Sequence, residues 1–233
     1  MSKFAVGGNV VGGFGSGYNC KPEFIVFDNA GNAYVGETGC SHALLKFDAY
    51  GNLIASYAVA TEVEGSDWID LASDQCTVYY TSQGESVLRY NVCNQQQLTP
   101  LSTGLGTGLA IRVLPDGGAL VANLYNIVRL DSNGNMVTTY DAPGEDCWSG
   151  LTLDSDGSSF WATDYCTSDV FRFDIASGGQ LLKFNTGTPA NTVFAVGTLT
   201  PATSTSAGAF LHRRERFRFQ RDRLLLTRSR LTQ

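Results

Sequence analysis

Glu37, Ser82, Asn123 and Asp164 stand at the same place in four copies of a repeating pattern, each at the end of an apolar run and just before a polar loop. A carboxylate, an amide and a second carboxylate brought onto one axis would be hard oxygen ligands, of the kind that hold Ca²⁺ or Mg²⁺. Such an ion would activate water for hydrolysis, with Glu37, Asn123 and Asp164 as the metal set and Asp164 and Glu37 as the catalytic groups. The plainer use of that position is to cap a turn, which requires no ligand.

Aromatic residues fall in the same loops: Trp68 beside Glu64 and Asp67, Tyr125 beside Asn126, Trp148 beside Glu145 and Asp146, and Tyr165 near Asp169. Aromatic faces beside carboxylates and amides suit a sugar or another small polar ligand, so Trp68, Asn123, Tyr125, Trp148 and Tyr165 form a candidate binding set. The alternative for the two tryptophans is that they plug gaps between layers. His42 lies in the loop after Glu37. Asp70 lies between Ile69 and Leu71, and its repeat equivalents are Val26, Arg112 and Thr152. A buried carboxylate needs a partner, so a structural Asp70–Arg112 ion pair is expected. No Gly-x-Ser-x-Gly elbow, phosphate loop or dinucleotide fingerprint occurs in its required context.

Residues this far apart meet only if the repeat itself brings them together. Lys46-Phe-Asp48, Arg89-Tyr-Asn91, Arg129-Leu-Asp131 and Arg172-Phe-Asp174 recur with basic residues 43, 40 and 43 positions apart. Before each lie two apolar runs, joined in three copies by Asn29-Ala-Gly-Asn32, Pro115-Asp-Gly-Gly118 or Ser155-Asp-Gly-Ser158, turn residues that tolerate positive φ. A fourth run follows each basic strand. A period near 40 with four short strands per unit is the signature of propeller blades. The expected fold is an all-β propeller with complete blades over about residues 20–62, 63–105, 106–146 and 147–189. Residues 3–14 align with 46–57 as third and fourth strands, and residues 192–196 open a further blade as a first strand, giving a partial fifth. Two readings stay open: those end pieces share one incomplete blade, or the chain is part of a longer, six-bladed parent.

The text Asp28-Asn-Ala-Gly-Asn-Ala-Tyr-Val-Gly-Glu37 with Leu44-Leu-Lys-Phe-Asp48 resembles the NHL-repeat propellers, as does Asp154-Ser-Asp-Gly-Ser-Ser-Phe-Trp-Ala-Thr-Asp164 with Val170-Phe-Arg-Phe-Asp174. Both are also similar to the gluconolactonase (senescence-marker) and streptogramin-lyase propellers, over about residues 3–197. The resemblance implies a site at the mouth of the central channel and, in the gluconolactonase group, a similar Glu/Asn/Asp metal set. It covers lactonases, lyases and binding scaffolds alike. The lyase resemblance would imply His42, near Glu37, as a general base together with a second histidine on the same rim, and the sequence places none there.

The repeat also narrows the pairing of the six cysteines. Cys20 and Cys147 precede first strands while Cys40 and Cys166 follow second strands, so Cys20–Cys40 and Cys147–Cys166 are equivalent staples on one rim. Cys76 and Cys93 lie in hairpin turns on the opposite rim and make the third pair. Paired cysteines imply an oxidising compartment, secreted or periplasmic, although the first residues lack the apolar stretch of a secretory signal. No run is long enough to span a bilayer.

Charge divides the chain. Residues 1–208 carry a net charge of −12, and residues 209–233 carry +6 from eight arginines, Glu215 and Asp222. An acidic body is a poor match for nucleic acid. The expected organisation is a propeller over 1–200, a Thr/Ser/Ala/Gly linker over 201–208, and a basic tail over 209–233 that follows no repeat. The sequence therefore points to an extracytoplasmic propeller that binds a small polar ligand or a protein at its channel mouth. The rival is a Ca²⁺- or Mg²⁺-dependent lactonase-like hydrolase.

Overall fold

The computed structural model describes residues 1–4, 9–18, 21–198 and 224–228. Four four-stranded antiparallel sheets follow one another as the blades of a propeller, each with its strands in chain order. Blade 1 comprises β3 (Pro22–Phe27), β4 (Ala33–Glu37), β5 (Leu44–Phe47) and β6 (Leu53–Tyr57). Blade 2 comprises β7 (Ile69–Leu71), β8 (Thr77–Tyr80), β9 (Val87–Asn91) and β10 (Gln96–Ser102). In blade 3, β11 (Ile111–Val113) leads to β12 (Ala119–Ala122), β13 (Ile127–Leu130) and β14 (Met136–Tyr140); in blade 4, β15 (Trp148–Leu153) leads to β16 (Ser159–Asp164), β17 (Asp169–Asp174) and β18 (Gln180–Asn185). The expected period is thus the period of the sheets.

Three of the hairpin turns follow from copies of one pentapeptide pattern. In Asp28-Asn-Ala-Gly-Asn32, the Asp28 carboxylate accepts N–H bonds from Ala30 and Asn32 and a side-chain bond from Asn32, while Gly31 takes φ 82°. Asp48 with Asn52 and Asp131 with Asn135 repeat these bonds, around Gly51 at φ 90° and Gly134 at φ 85°. Carboxylate and glycine together close the turn: one satisfies the loop N–H groups, the other supplies the left-handed residue.

Inner strands carry the blade-to-blade packing, with β3 against β7, β7 against β11 and β11 against β15. The principal core runs through these contacts, from Phe24 and Trp68 to Phe160 and Phe171. Side chains are buried on both faces of the second strands, whereas the outer strands expose apolar pairs at Leu53–Ile54, Met136–Val137 and Leu181–Leu182.

A further strand, β19 (Val193–Thr198), lies against β15 and β16 as the first strand of a partial fifth blade. Gly150 permits this approach, since a Cβ there would lie 2.7 Å from Ala195 Cα. Ser149 and Thr163 hydroxyls both donate to the Phe194 carbonyl, at 2.9 and 3.1 Å. The backbone of β20 (Leu224–Arg228), within the segment expected as a basic tail, pairs antiparallel with β19. At the other end β1 (Ser2–Phe4) and β2 (Val10–Gly13) form a separate two-stranded sheet, and Phe14 beyond it packs into the blade 1 cluster with Phe47. The linker 201–208 and the remainder of 209–233 lie outside the described residues.

Two of the expected disulfides are present, Cys76–Cys93 and Cys147–Cys166. Cys40 is also disulfide-bonded, and its expected partner Cys20 lies outside the described residues.

Candidate functional site

The ends of the second strands are buried, and their polar atoms are used locally. Asp164 is fully buried: one carboxylate oxygen accepts the Cys147 N–H at 2.8 Å and the other the Thr167 N–H at 2.9 Å. Asn123 accepts the Asn126 N–H at 2.9 Å and donates to the Leu105 carbonyl at 2.8 Å. Glu37 is fully buried and accepts a bond from the Ser41 hydroxyl, four residues on. Ser82 accepts the Glu62 N–H at 2.9 Å and donates to the Glu64 carbonyl. In each blade this position fastens its own rim loop, the use that a short polar side chain has beside orphaned loop N–H groups.

Among the described residues, one group of three His, Cys, Asp or Glu side chains comes within metal-binding reach: Cys147, Asp164 and Cys166. Its two sulfurs are bonded to each other, so the group is a disulfide beside a capping carboxylate and not a thiolate site.

The aromatic residues divide into buried and displayed. Trp68 is 1% exposed and stacks on Phe24 with ring centroids 4.3 Å apart. Trp148 is fully buried, edge-on to Phe171 and Phe173, and its Nε1 donates to Asp141 at 3.1 Å. Neither indole offers a face to a ligand; both fill space within and between blades. Tyr165 is half-buried, edge-on to Phe194. Tyr125 is 64% exposed. It is held on a tight turn, because Leu124 takes φ 77° and its carbonyl accepts the Trp148 N–H of the next blade at 2.8 Å.

The rim acids are likewise partly committed. Lys183 bridges Glu145 at 2.7 Å and Asp169 at 2.8 Å, and these two bonds raise its pKa. Glu145 also accepts the Thr167 hydroxyl at 2.7 Å. Asp67 is different. Burial, with the charges of Glu23 and Glu64, pushes its carboxyl up to about 8 against an opposing bond from Gln83. Tyr18 is pushed up to about 12 by burial and by Glu37. Asp146 is exposed and Glu64 half-exposed.

The inner strands correct one expectation. Asp70 and Arg112 are each 1% exposed but form no direct ion pair. Asp70 instead accepts the Leu71 N–H at 3.0 Å and the Val113 N–H of blade 3 at 2.8 Å. Those N–H groups have their acceptor in Asp70, so the carboxylate stitches blade 2 to blade 3 through the backbone. Arg112 turns the other way, with its guanidinium 4.7 Å from the Phe24 ring and 5.3 Å from Trp68. The sequence signal for this existed only in part: the register placed the two residues in adjacent blades, but not the aromatic faces that compete for the cation.

No protein-family model and no curated protein sequence matches this chain. Solved structures do match. Kuenenia stuttgartiensis hydrazine synthase is similar with TM-score 0.64 and 18% identity over 80% of this chain and 56% of that one. Virginiamycin B lyase from Staphylococcus aureus is similar with TM-score 0.62 and 14% identity over 84% of this chain and 66% of that one. A streptogramin B lyase gives TM-score 0.64 and 17% identity over 84% of this chain and 64% of that one. The chain thus spans between about half and two thirds of each matched structure. At these identities the likeness is one of fold, and at that level the resemblance to lyase-type propellers holds.

Proposed function

We propose that this chain is a binding propeller that works outside the cytoplasm and takes a small polar ligand or a protein on the rim carrying Tyr125, Tyr165, Glu64 and Asp146. The observation that carries the reading is Tyr125, an exposed aromatic on a turn fixed by Asn123, Leu124 and the next blade. A large amphipathic side chain on a rigid loop gives contact area at little ordering cost. The disulfides support that compartment, since such bonds persist where the surroundings are oxidising. No helix of the described residues is long and apolar enough to cross a membrane.

The rival, a Ca²⁺- or Mg²⁺-dependent lactonase-like hydrolase, would have to take Glu37, Asn123 and Asp164 away from the loops they hold. Their hydrogen bonds favour the binding reading. The two are separated by one pair of measurements. Saturation-transfer NMR with a panel of mono- and oligosaccharides is expected to show contact that Tyr125→Ala removes. Calorimetric titration with Ca²⁺ and Mg²⁺ is expected to show no tight binding, whereas binding that Asp164→Ala abolishes would install the hydrolase instead.

A further inference from the structure

Arg112 sits on β11, the innermost strand of blade 3, and is 1% exposed. Phe24 of blade 1 and Trp68 of blade 2 lie against its guanidinium at 4.7 and 5.3 Å. Nη1 donates to the Ile111 carbonyl at 2.7 Å, but Nε and Nη2, both shielded from solvent, have no hydrogen-bond partner. Unlike lysine or histidine, arginine cannot relieve burial by losing its proton.

The chemistry still required can be read from those two atoms. Aromatic faces attract the cation but do not accept N–H groups lying in the guanidinium plane. The Nε–H and one Nη2–H point in parallel from one edge, the fork that takes a carboxylate or a single anion. Asp70 does not occupy that edge, where neither nitrogen has a partner; its oxygens accept the Leu71 and Val113 N–H groups. Burial pushes the Asp70 carboxyl up, against the pull of the Arg112 charge, and none of this fills the open edge of the guanidinium. A water molecule would satisfy the hydrogen bonds and leave the charge; a small anion satisfies both.

We infer that the inner face of blades 1 to 3 holds a small monovalent anion, a halide or simple carboxylate, on the Nε–Nη2 edge of Arg112. The anion is taken up on folding and ties three blades together through one guanidinium. This holds whether or not the rim binds a saccharide.

The test compares thermal unfolding of the full chain in sodium chloride, bromide, formate and gluconate at equal ionic strength. Gluconate, too bulky for an enclosed site, is the reference. Chloride or bromide at about ten times its dissociation constant is expected to raise the melting temperature by about 3–6 °C, saturably. Formate acting like the halides would identify a carboxylate as an equally good occupant. Arg112→Met keeps the length and removes the charge, and it should abolish the difference between salts. If that variant does not fold, crystals of the unaltered protein grown in bromide decide the matter by an anomalous peak at the Nε–Nη2 edge. Equal melting in every salt, a halide effect undiminished in Arg112→Met, or no anomalous peak at that edge would overturn the assignment.

Discussion

Arg172 and Trp161 face each other as cross-strand neighbours in blade 4, with the guanidinium 5.7 Å above the indole ring. The same arginine reaches Asp154 at 2.9 Å and Asp156 at 2.7 Å in the first hairpin turn of its blade. Lys46 over Tyr34 at 4.8 Å and Arg89 over Tyr79 at 5.7 Å repeat the arrangement, and Arg129 pairs instead with Asp116 at 2.9 Å. In blades 1, 3 and 4 the basic residue that marks the sequence period is therefore a clamp toward the first hairpin turn, whereas Arg89 of blade 2 donates instead to the Thr99 carbonyl on the outer strand.

Removing that clamp should be measurable. Arg172→Ala is expected to cost about 1–2 kcal/mol, combining a partly exposed cation–aromatic contact with two surface ion pairs. Arg172→Lys should cost less but not nothing, because a lysine cannot stack and bridge two carboxylates as a planar fork does. Urea unfolding, with an unchanged slope and a shifted midpoint, reads both values.

Glycine substitutions should separate two costs. At Gly157, φ is 69° and nothing lies within 4 Å of an added Cβ, so Gly157→Ala carries backbone strain alone, about 1 kcal/mol. At Gly134, φ is 85° and an added Cβ would fall 1.8 Å from the Leu101 carbonyl oxygen. Gly134→Ala should therefore be worse, by about 2–4 kcal/mol in all, as judged from paired denaturation curves.

Acid and base should act through different carboxyls. Asn52 and Asn135 donate side-chain bonds that hold the half-buried Asp48 and Asp131 carboxyls below their ordinary value. Groups depressed in this way contribute stability above the unfolded pKa and lose it as pH falls through the folded one. Asp67 has the opposite sign. Raised by burial from 3.8 to about 8, it leaves stability intact below 3.8 and drains it as pH climbs toward about 8. Asp67→Asn is expected to flatten the stability curve over that interval; a decline identical to that of the unaltered protein would show that another group is responsible.

The disulfides close short loops, with sequence separations of 17 for Cys76–Cys93 and 19 for Cys147–Cys166. Loss of either should cost about 3 kcal/mol on the chain-entropy account. Replacing Cys147 and Cys166 together by serine should destabilise the folded chain while leaving the Asp164 bond to the residue 147 N–H available. Thiol titration of the unreduced variant checks that no other bridge has been disturbed.

The blades, their strand order and the two disulfides were legible because each is written in the period: position in the repeat is position in space. The partners of individual side chains were not. Asp70 and Arg112 share a register, yet each finds a nearer partner, a backbone N–H for one and aromatic faces for the other. Trp68 and Trp148 occur in text that allows both a displayed face and a plug between blades, and packing draws them inward as plugs. Residue type and register set which groups are neighbours; competition among those neighbours is settled only by the shape of the interior.

The inner strands touch in series, each with the one before and the one after. Opening blade 2 or 3 breaks two such seams between complete blades, while opening blade 1 breaks one, and opening blade 4 breaks one together with its contact to β19. Amide exchange should consequently run as in a zipper, beginning at the extremities and reaching the β8 and β12 amides last.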